Sequence, residues 1–476
     1  MELLGRSREL GALRQALDSR TPSLALVSGV RGGGKSALVR RVVQDYPHLL
    51  HVCAPLPEPA QRGRLAARLG GRPIPKDTGW PELFGALLHR AAGTERPFVL
   101  VLDDVHRLVE SRARFIGPLI DVLGKAAGGE VPLHVVLVGP RELSGKLEEA
   151  VEAMPDTAPE FVEVHVPPLR FRAAAPFLPG RRPDDRLRAY GVFGGIPAVL
   201  QQLDPDVGVG TNVRRLLLSP DAPLADTGGV WLERDLQAPA RYYAILSTLS
   251  RGEADWRTIH EGVPDLTRSG QVAPYLNKLV GLGLIETRRS VDASPSGRAR
   301  RYAITDPFFA FWFRFILPHR LGAVGDPWSA GGDPPSSESA EGDDYARGIR
   351  PQIDTHMESI LPMVCRQHMS RDALATLGAV GREGGSLWGP DYDLPVAGIL
   401  TNGAAYFGAC DWLSGRRGAR PPLRRIEEGM RTSRYGFGRQ HRLRLVFTGR
   451  PPPVELVREV ARDPDARLID AEALMG

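Results

Sequence analysis

The sequence predicts an α/β protein whose amino-terminal part is a parallel sheet covered by helices, followed by a helical stretch, a small helix-and-strand segment and a second α/β region. Three observations predict this. Between Ser23 and Pro168 short apolar runs ("SLALVSG", "HLLHVCAP", "FVLVLDD", "LHVVLVG", "FVEVHVP") alternate with stretches of helical periodicity. Continuous apolar strands separated by helices belong to a sheet buried on both faces. The first run leads into "SGVRGGGKSALVR", four glycines followed at once by a lysine and a serine. Beyond residue 168 the strands stop until two short ones between 284 and 304, and a second α/β pattern follows a Gly/Pro/Ser-rich acidic stretch near 330.

A chain of 476 residues is too long for one core and predicts several domains. Its 42% hydrophobic and 25% charged residues are those of an ordinary globular protein. The first thirty residues hold no long apolar run behind a basic head and no apolar stretch reaches membrane-spanning length, so neither a secretory leader nor a membrane partner is expected. Cys53, Cys365 and Cys410 are far apart, which fits a reducing cytoplasm and forms neither a disulfide framework nor a zinc pattern. The net charge of +5 is a mild bias, carried almost wholly by arginine. Only five lysines occur, Lys35 among them.

The glycine-rich stretch disfavours both helix and strand, since interior glycine costs a helix about 1 kcal/mol relative to alanine. Gly29, Gly34, Lys35 and Ser36 fill the pattern G-x-x-x-x-G-K-S/T between an apolar strand and a helix. Such a loop turns backbone N–H groups of Gly29, Gly32, Gly33 and Gly34 inward at phosphate oxygens, and the helix start at Ser36 and Ala37 adds its partial positive charge. Lys35 is placed for the β- and γ-phosphates of ATP and the Ser36 hydroxyl for Mg2+. "FVLVLDD" ends a strand in two carboxylates: Asp103 suits the metal, through water, and Asp104 stands where a water-activating acid is expected. Asp104 is one methylene shorter than the glutamate often found there, which predicts slow hydrolysis.

Residues 169–235 read as short helices broken by Pro and Gly. Residues 236–320 contain three helices and two short strands, the order of a winged helix-turn-helix. Ten basic and six acidic residues lie between Arg241 and Arg301, a net +4. Arg288, Arg289, Arg298, Arg300 and Arg301 fall on or near the wing; Arg268, Gln271, Tyr275 and Lys278 fall in or before the third helix, which Pro274 starts near residue 272. These are candidates for duplex DNA contact, with an arm against the nucleotide domain or a partner protein as the alternative. The aromatic run "DPFFAFWFRF" reads as a buried docking segment rather than a base-stacking platform. Residues 321–346 read as a linker and 347–476 as the second α/β region.

"LLGRSREL", the glycine-rich loop, "VLDD" and "LHVVLVGPRE" together resemble the AAA+/STAND class of P-loop ATPases. "VPPLRF", "YGVFGGIPAVLQQLD" and "YAITDPFFAFWFRFILP" resemble its archaeal-type ATPase family, chiefly over residues 1–320. The resemblance implies a P-loop NTPase domain over 1–168, a helical lid over 169–235, and ATP with Mg2+ as ligands. It implies that Gly5 and Arg6 flank the adenine, that Pro197 of a G-x-P motif packs near the base, and that Arg141 reads the γ-phosphate. It further implies a restriction-endonuclease-like, PD-(D/E)XK fold over 347–476, with Glu358 and Asp393 as the first acids. The strand that should end in E-x-K instead reads Ala409, Cys410, Asp411, so a degenerate fold kept for binding or assembly is expected. The expected activity is a slow, ATP-driven switch, with homo-oligomer or regulatory protein partners. The alternatives are a non-hydrolysing nucleotide-gated DNA-binding regulator and an ATP-gated nuclease.

Overall fold

The computed structural model describes residues 3–476 except 70–77, 111–113, 155–157, 181, 220, 234–235, 237–238, 264–265, 267, 295–296, 298, 322–344 and 413–419. Arg298 and nearly all of the expected linker lie outside the described residues. The chain forms two compact units, Met1–Pro167 with Gly281–Gly283, and Pro168–Val280 with Leu284–Gly476.

The first unit holds strands β1 (Ser23–Ser28), β2 (His48–Val52), β3 (Phe98–Asp103), β4 (Leu133–Val138) and β5 (Glu160–His165). They form one parallel sheet in the order β2-β3-β4-β1-β5. β1, β3 and β4 are buried at every position, which is why their sequences run apolar without alternation. Helices α1 (Ser7–Leu17), α2 (Lys35–Val43), α3 (Glu58–Leu69), α4 (Trp80–Ala92), α5 (Ile116–Gly128) and α6 (Ser144–Glu152) accompany the sheet. One apolar cluster joins Leu13, Leu17, Leu38 and Val42 of α1 and α2 to Val27, Val101 and Val136 of the strands. The other joins Leu83, Phe84 and Leu87 of α4 and Leu119 and Leu123 of α5 to Leu26, Leu100, Val135 and Leu137. All five strands point their carboxyl ends to one edge of the sheet, the edge at which open α/β sheets bind ligands.

The second unit opens with a single helical turn, Phe171–Ala174, and continues through α7 (Pro183–Phe193) and α8 (Pro197–Leu200). Helices α9 (Ala240–Leu249), α10 (Trp256–Glu261) and α11 (Ala273–Gly281) follow, with strands β6 (Ala254–Asp255), β7 (Ile285–Arg288) and β8 (Arg301–Ile304) in an antiparallel sheet of order β6-β8-β7. The two expected strands are there; β6, only two residues long, carries too little pattern to be read from sequence. Pro274 is the second residue of α11 and is preceded by a short 3-10 turn, Ser269–Val272. The aromatic run is buried: Phe308, Phe309, Phe311 and Phe313 are almost fully covered, and the Trp312 indole donates to the Ala225 carbonyl at 2.8 Å.

The carboxyl-terminal part contains α12 (Ile353–Arg371), α13 (Pro422–Thr432) and α14 (Val454–Ala461). Its strands are β9 (Gly381–Trp388), β10 (Asp393–Leu400), β11 (Ala405–Asp411), β12 (Arg442–Thr448) and β13 (Ala466–Ile469), in the order β13-β12-β11-β10-β9. β9, β10 and β11 pair antiparallel, whereas β11, β12 and β13 pair parallel. No helix among the described residues is long and apolar enough to cross a membrane.

Candidate functional site

The glycine-rich loop leaves β1 at Ser28 and enters α2 at Lys35. Gly29 has φ +142°, and a Cβ there would stand 2.2 Å from the Val166 carbonyl oxygen, so no other residue fits. A turn closes as the Gly33 N–H donates to the Val30 carbonyl at 3.2 Å, and Gly34 caps α2 in the left-handed region. The Lys35 ammonium donates to the carbonyls of Gly29 at 2.8 Å and Val30 at 3.0 Å. The opening amides of α2 have no partner one turn earlier in the helix, and the helix dipole adds positive potential there. Ammonium and loop therefore form one basic cradle suited to a triphosphate.

Ser36 Oγ donates to Asp103 Oδ1 at 3.1 Å, and the Asp104 N–H donates to the same oxygen at 3.0 Å. Burial pushes the Asp103 carboxyl above its ordinary range, opposed by the Ser36 hydrogen bond and reinforced by the charge of Asp104. Asp104 occupies the left-handed region at φ +56°. Among the described residues no group of three or more metal-ligating side chains is found. Mg2+ needs none: it keeps several waters and takes one or two protein oxygens beside substrate phosphates. The Ser36 hydroxyl and Asp103 carboxylate, adjacent and hard, fit that role.

Arg6, expected with Gly5 to flank the adenine, is engaged with the loop itself. Its guanidinium is almost fully buried and donates through Nη2 to the Gly33 carbonyl at 2.9 Å, bracing the loop. Burial depresses its pKa, while Glu9 acts in the opposite direction. Arg141 follows β4 closely, and its Nε lies 3.1 Å from Glu163 Oε1. Ser28 Oγ donates to the same Glu163 oxygen at 3.2 Å and Ser144 Oγ to the other at 2.8 Å. His165 Nδ1 lies 3.2 Å from Ser28 Oγ, and desolvation of the ring, with the nearby Arg141 charge, lowers its pKa. The sequence reading misses Glu163, although a signal is visible: Glu163 and His165 interrupt an apolar strand at a spacing of two, on one face.

Pro197, the first residue of α8, belongs to the second unit, as do all the described candidate DNA-contact residues. Before it, Gly195 is tied to Asp306, which accepts the Gly195 N–H at 2.8 Å and the Phe308 N–H at 2.9 Å. A Cβ on Gly194 would stand 1.9 Å from the Asp306 carboxylate. Arg268, Gln271, Arg289 and Arg300 are exposed and Lys278 is half-buried. Two wing arginines are engaged differently from the expectation of phosphate contact. Arg288 is largely covered and ion-paired with Glu253 and Glu286, and Glu253 also accepts from Arg366 at 2.9 Å. Arg301 pairs with Asp393 at 2.8 Å and covers the Trp388 ring, 4.5 Å from its centroid. Desolvation of the largely covered Arg288 is offset by Glu286 and Glu253, whereas Arg301 meets an Asp393 that stays exposed.

Glu358, Asp393, Cys410 and Asp411, from separate parts of the sequence, line one cavity of about 530 Å3 together with Arg301 and Arg425. Asp393, expected as a metal ligand, already holds a guanidinium partner.

Residues 2–138 match the family model of the AAA ATPase domain. The chain is 21% identical over 327 residues to an uncharacterized protein of Methanocaldococcus jannaschii, MJECL04, covering 67% of this chain and 70% of that one. Among solved structures it is similar to the Walker-type ATPase PABY2304 of Pyrococcus abyssi, at 18% identity and TM-score 0.48, covering 65% of this chain and 96% of the other. It is similar also to the Aeropyrum pernix ORC2 protein, at 14% identity and TM-score 0.42, covering 68% and 95%. The loop geometry and the family match fall on the same residues, so the stretch 2–138, which carries the phosphate loop in the first unit, is similar to an ATP-binding AAA ATPase domain.

Proposed function

We propose that the chain is a nucleotide-driven switch that hydrolyses ATP slowly and couples the state of its phosphate loop to rearrangement of the second unit. The observation that carries this reading is the convergence of Lys35, Ser36 and Asp103 at the carboxyl edge of the parallel sheet. In this reading Lys35 and the loop amides hold the β- and γ-phosphates. Mg2+, held by Ser36 and through water by Asp103, supplies charge neutralisation on the phosphates. Asp104 orients the attacking water, and Arg141 stabilises charge on the γ-phosphate. Gly5 and Pro197 keep the base-binding part that the resemblance gives them. Because the Arg6 guanidinium is committed to Gly33, its part is to brace the loop rather than to stack on adenine.

The domain plan proposed is 1–168 for nucleotide, 169–235 as lid, 236–320 as winged helix, 321–346 as linker and 347–476 as a degenerate nuclease-like fold. The helix and strand order of α9–α11 with β6–β8, and the mixed sheet β9–β13 with α12 and α13, support it. Exposed Arg268, Arg289 and Arg300 support phosphate contact with duplex DNA, while Arg288 and Arg301 are committed to carboxylates of their own unit. The Arg301–Asp393 pair supports a binding rather than a cleaving role for the cavity.

Multiple-turnover phosphate release by wild type and Lys35→Ala, each with and without duplex DNA, tests this reading. Slow turnover abolished by Lys35→Ala supports it. ATP binding without any release would favour a non-hydrolysing regulator, and DNA cleavage lost in Asp393→Ala would favour a nuclease.

A further inference from the structure

We propose that Glu163 is a positioning residue for phosphate sensing, clamping Arg141 to the base of the phosphate loop. The proposal rests on the reading of Arg141 given above. Glu163 lies on β5, paired in register with Leu26, two positions before the pair of Ser28 with His165. β1 separates β5 from β4 in the sheet order. The carboxylate nevertheless meets groups from both neighbours: Ser28 at the end of β1, immediately before Gly29, and Arg141 and Ser144 in the segment after β4. One side chain thus ties the entrance of the phosphate loop to the segment that follows the fourth strand.

The choice of atoms matters. The ion pair is closest at the Arg141 Nε, 3.1 Å from Glu163 Oε1, on a side chain that stays 58% exposed, so in this proposal the two terminal amino groups of the guanidinium fork take the anion. A carboxylate behind an arginine fixes the plane of the fork, so that less rotamer freedom is lost when phosphate arrives. Ser28 and Ser144 hold the carboxylate in turn, one on each oxygen, and His165 meets the Ser28 hydroxyl from β5. A carboxylate present only to neutralise a nearby cation would not need two hydroxyl donors, one of them adjoining the phosphate loop.

The experiment compares Arg141→Ala, Glu163→Gln and the double variant with wild type, reading single-turnover hydrolysis and the affinities for ATP and ADP. Glu163→Gln keeps shape and removes charge. The expected result is a roughly 10-fold slower hydrolytic step and a reduced preference for ATP over ADP, with ADP affinity within about 2-fold of wild type. The double variant should be no slower than Arg141→Ala, because the two residues act as a unit. Ser144→Ala, which removes only one support of the carboxylate, should shift hydrolysis in the same direction by roughly 2- to 5-fold and serves if Glu163→Gln fails to fold. Full activity of Arg141→Ala would overturn the sensor reading itself. A slow Arg141→Ala beside a normal Glu163→Gln, or multiplicative losses in the double variant, would overturn the clamp while leaving the sensor in place.

Discussion

Ser36 and Asp103, 67 positions apart, are joined by a 3.1 Å hydrogen bond between the hydroxyl at the start of α2 and the carboxylate at the end of β3. The bond brings together the two oxygens that suit a magnesium ion, in a setting that burial makes unfavourable for a lone carboxylate charge. Replacing Ser36 by alanine should remove one ligand and leave Asp103 without that donor. The expected outcome is loss of the magnesium-dependent part of ATP affinity, by roughly 10-fold or more. Titration of a fluorescent ATP analogue with and without magnesium checks it; an undiminished magnesium response in Ser36→Ala would contradict the assignment.

Gly29 has no room for a side chain, since Val166, in the segment just after β5, closes the space. Gly29→Ala combines that overlap with an unfavourable φ of +142°. The loop should be displaced at a cost of roughly 1–3 kcal/mol, and nucleotide affinity should fall more than the melting temperature of the free protein. Calorimetric titration beside thermal unfolding separates the two effects.

Asp306 sets a pH dependence. Burial raises its carboxyl from the ordinary 3.8 to about 7, against the hydrogen bonds from Gly195 and Phe308. The folded state therefore holds a proton that the unfolded chain releases. The associated stability is fully present below pH 3.8 and is lost as pH rises through about 7, with a limiting slope of roughly 1.4 kcal/mol per pH unit. Asp306→Asn should flatten the stability profile between those values. Denaturant unfolding at pH values near the two ends of that window gives the comparison, and an unchanged difference between them would exclude Asp306 as its source.

Glu253 neutralises two largely covered guanidiniums, Arg288 and Arg366. Burial pushes its carboxyl up, but the two arginines, with Arg301, outweigh that and leave it below the ordinary range. Glu253→Ala should destabilise the second unit by roughly 3–5 kcal/mol, because Arg366 loses its carboxylate and Arg288 is left with Glu286 alone in a poorly solvated place. Far-UV circular dichroism in urea checks this, and a loss under about 1 kcal/mol would mean that the ion pairs are solvated.

The phosphate loop is legible in the sequence because its constraints are local: a strand, glycines at conformationally special positions, a lysine and a helix start within a short span. Asp103 is legible for a similar reason, as an acid ending an apolar run. The partners of Glu163 and Asp306 are not. Ser28 lies 135 positions from Glu163, and Gly195 lies 111 from Asp306, and nothing in a local pattern encodes such pairings. The wing shows the same limit from the other side. Counting charges predicts a basic edge, but Arg288 and Arg301 are set apart from the exposed Arg289 and Arg300 by the carboxylates that the fold brings to them.

The most direct test of the central claim is calorimetric titration of magnesium-ATP into wild-type protein and Lys35→Ala. The account predicts saturable one-site binding by wild type and at least a roughly 10-fold weakening in the variant, since a charge-assisted contact to phosphate is removed. Absence of heat with folded wild type, or equal affinity in the two proteins, would contradict it.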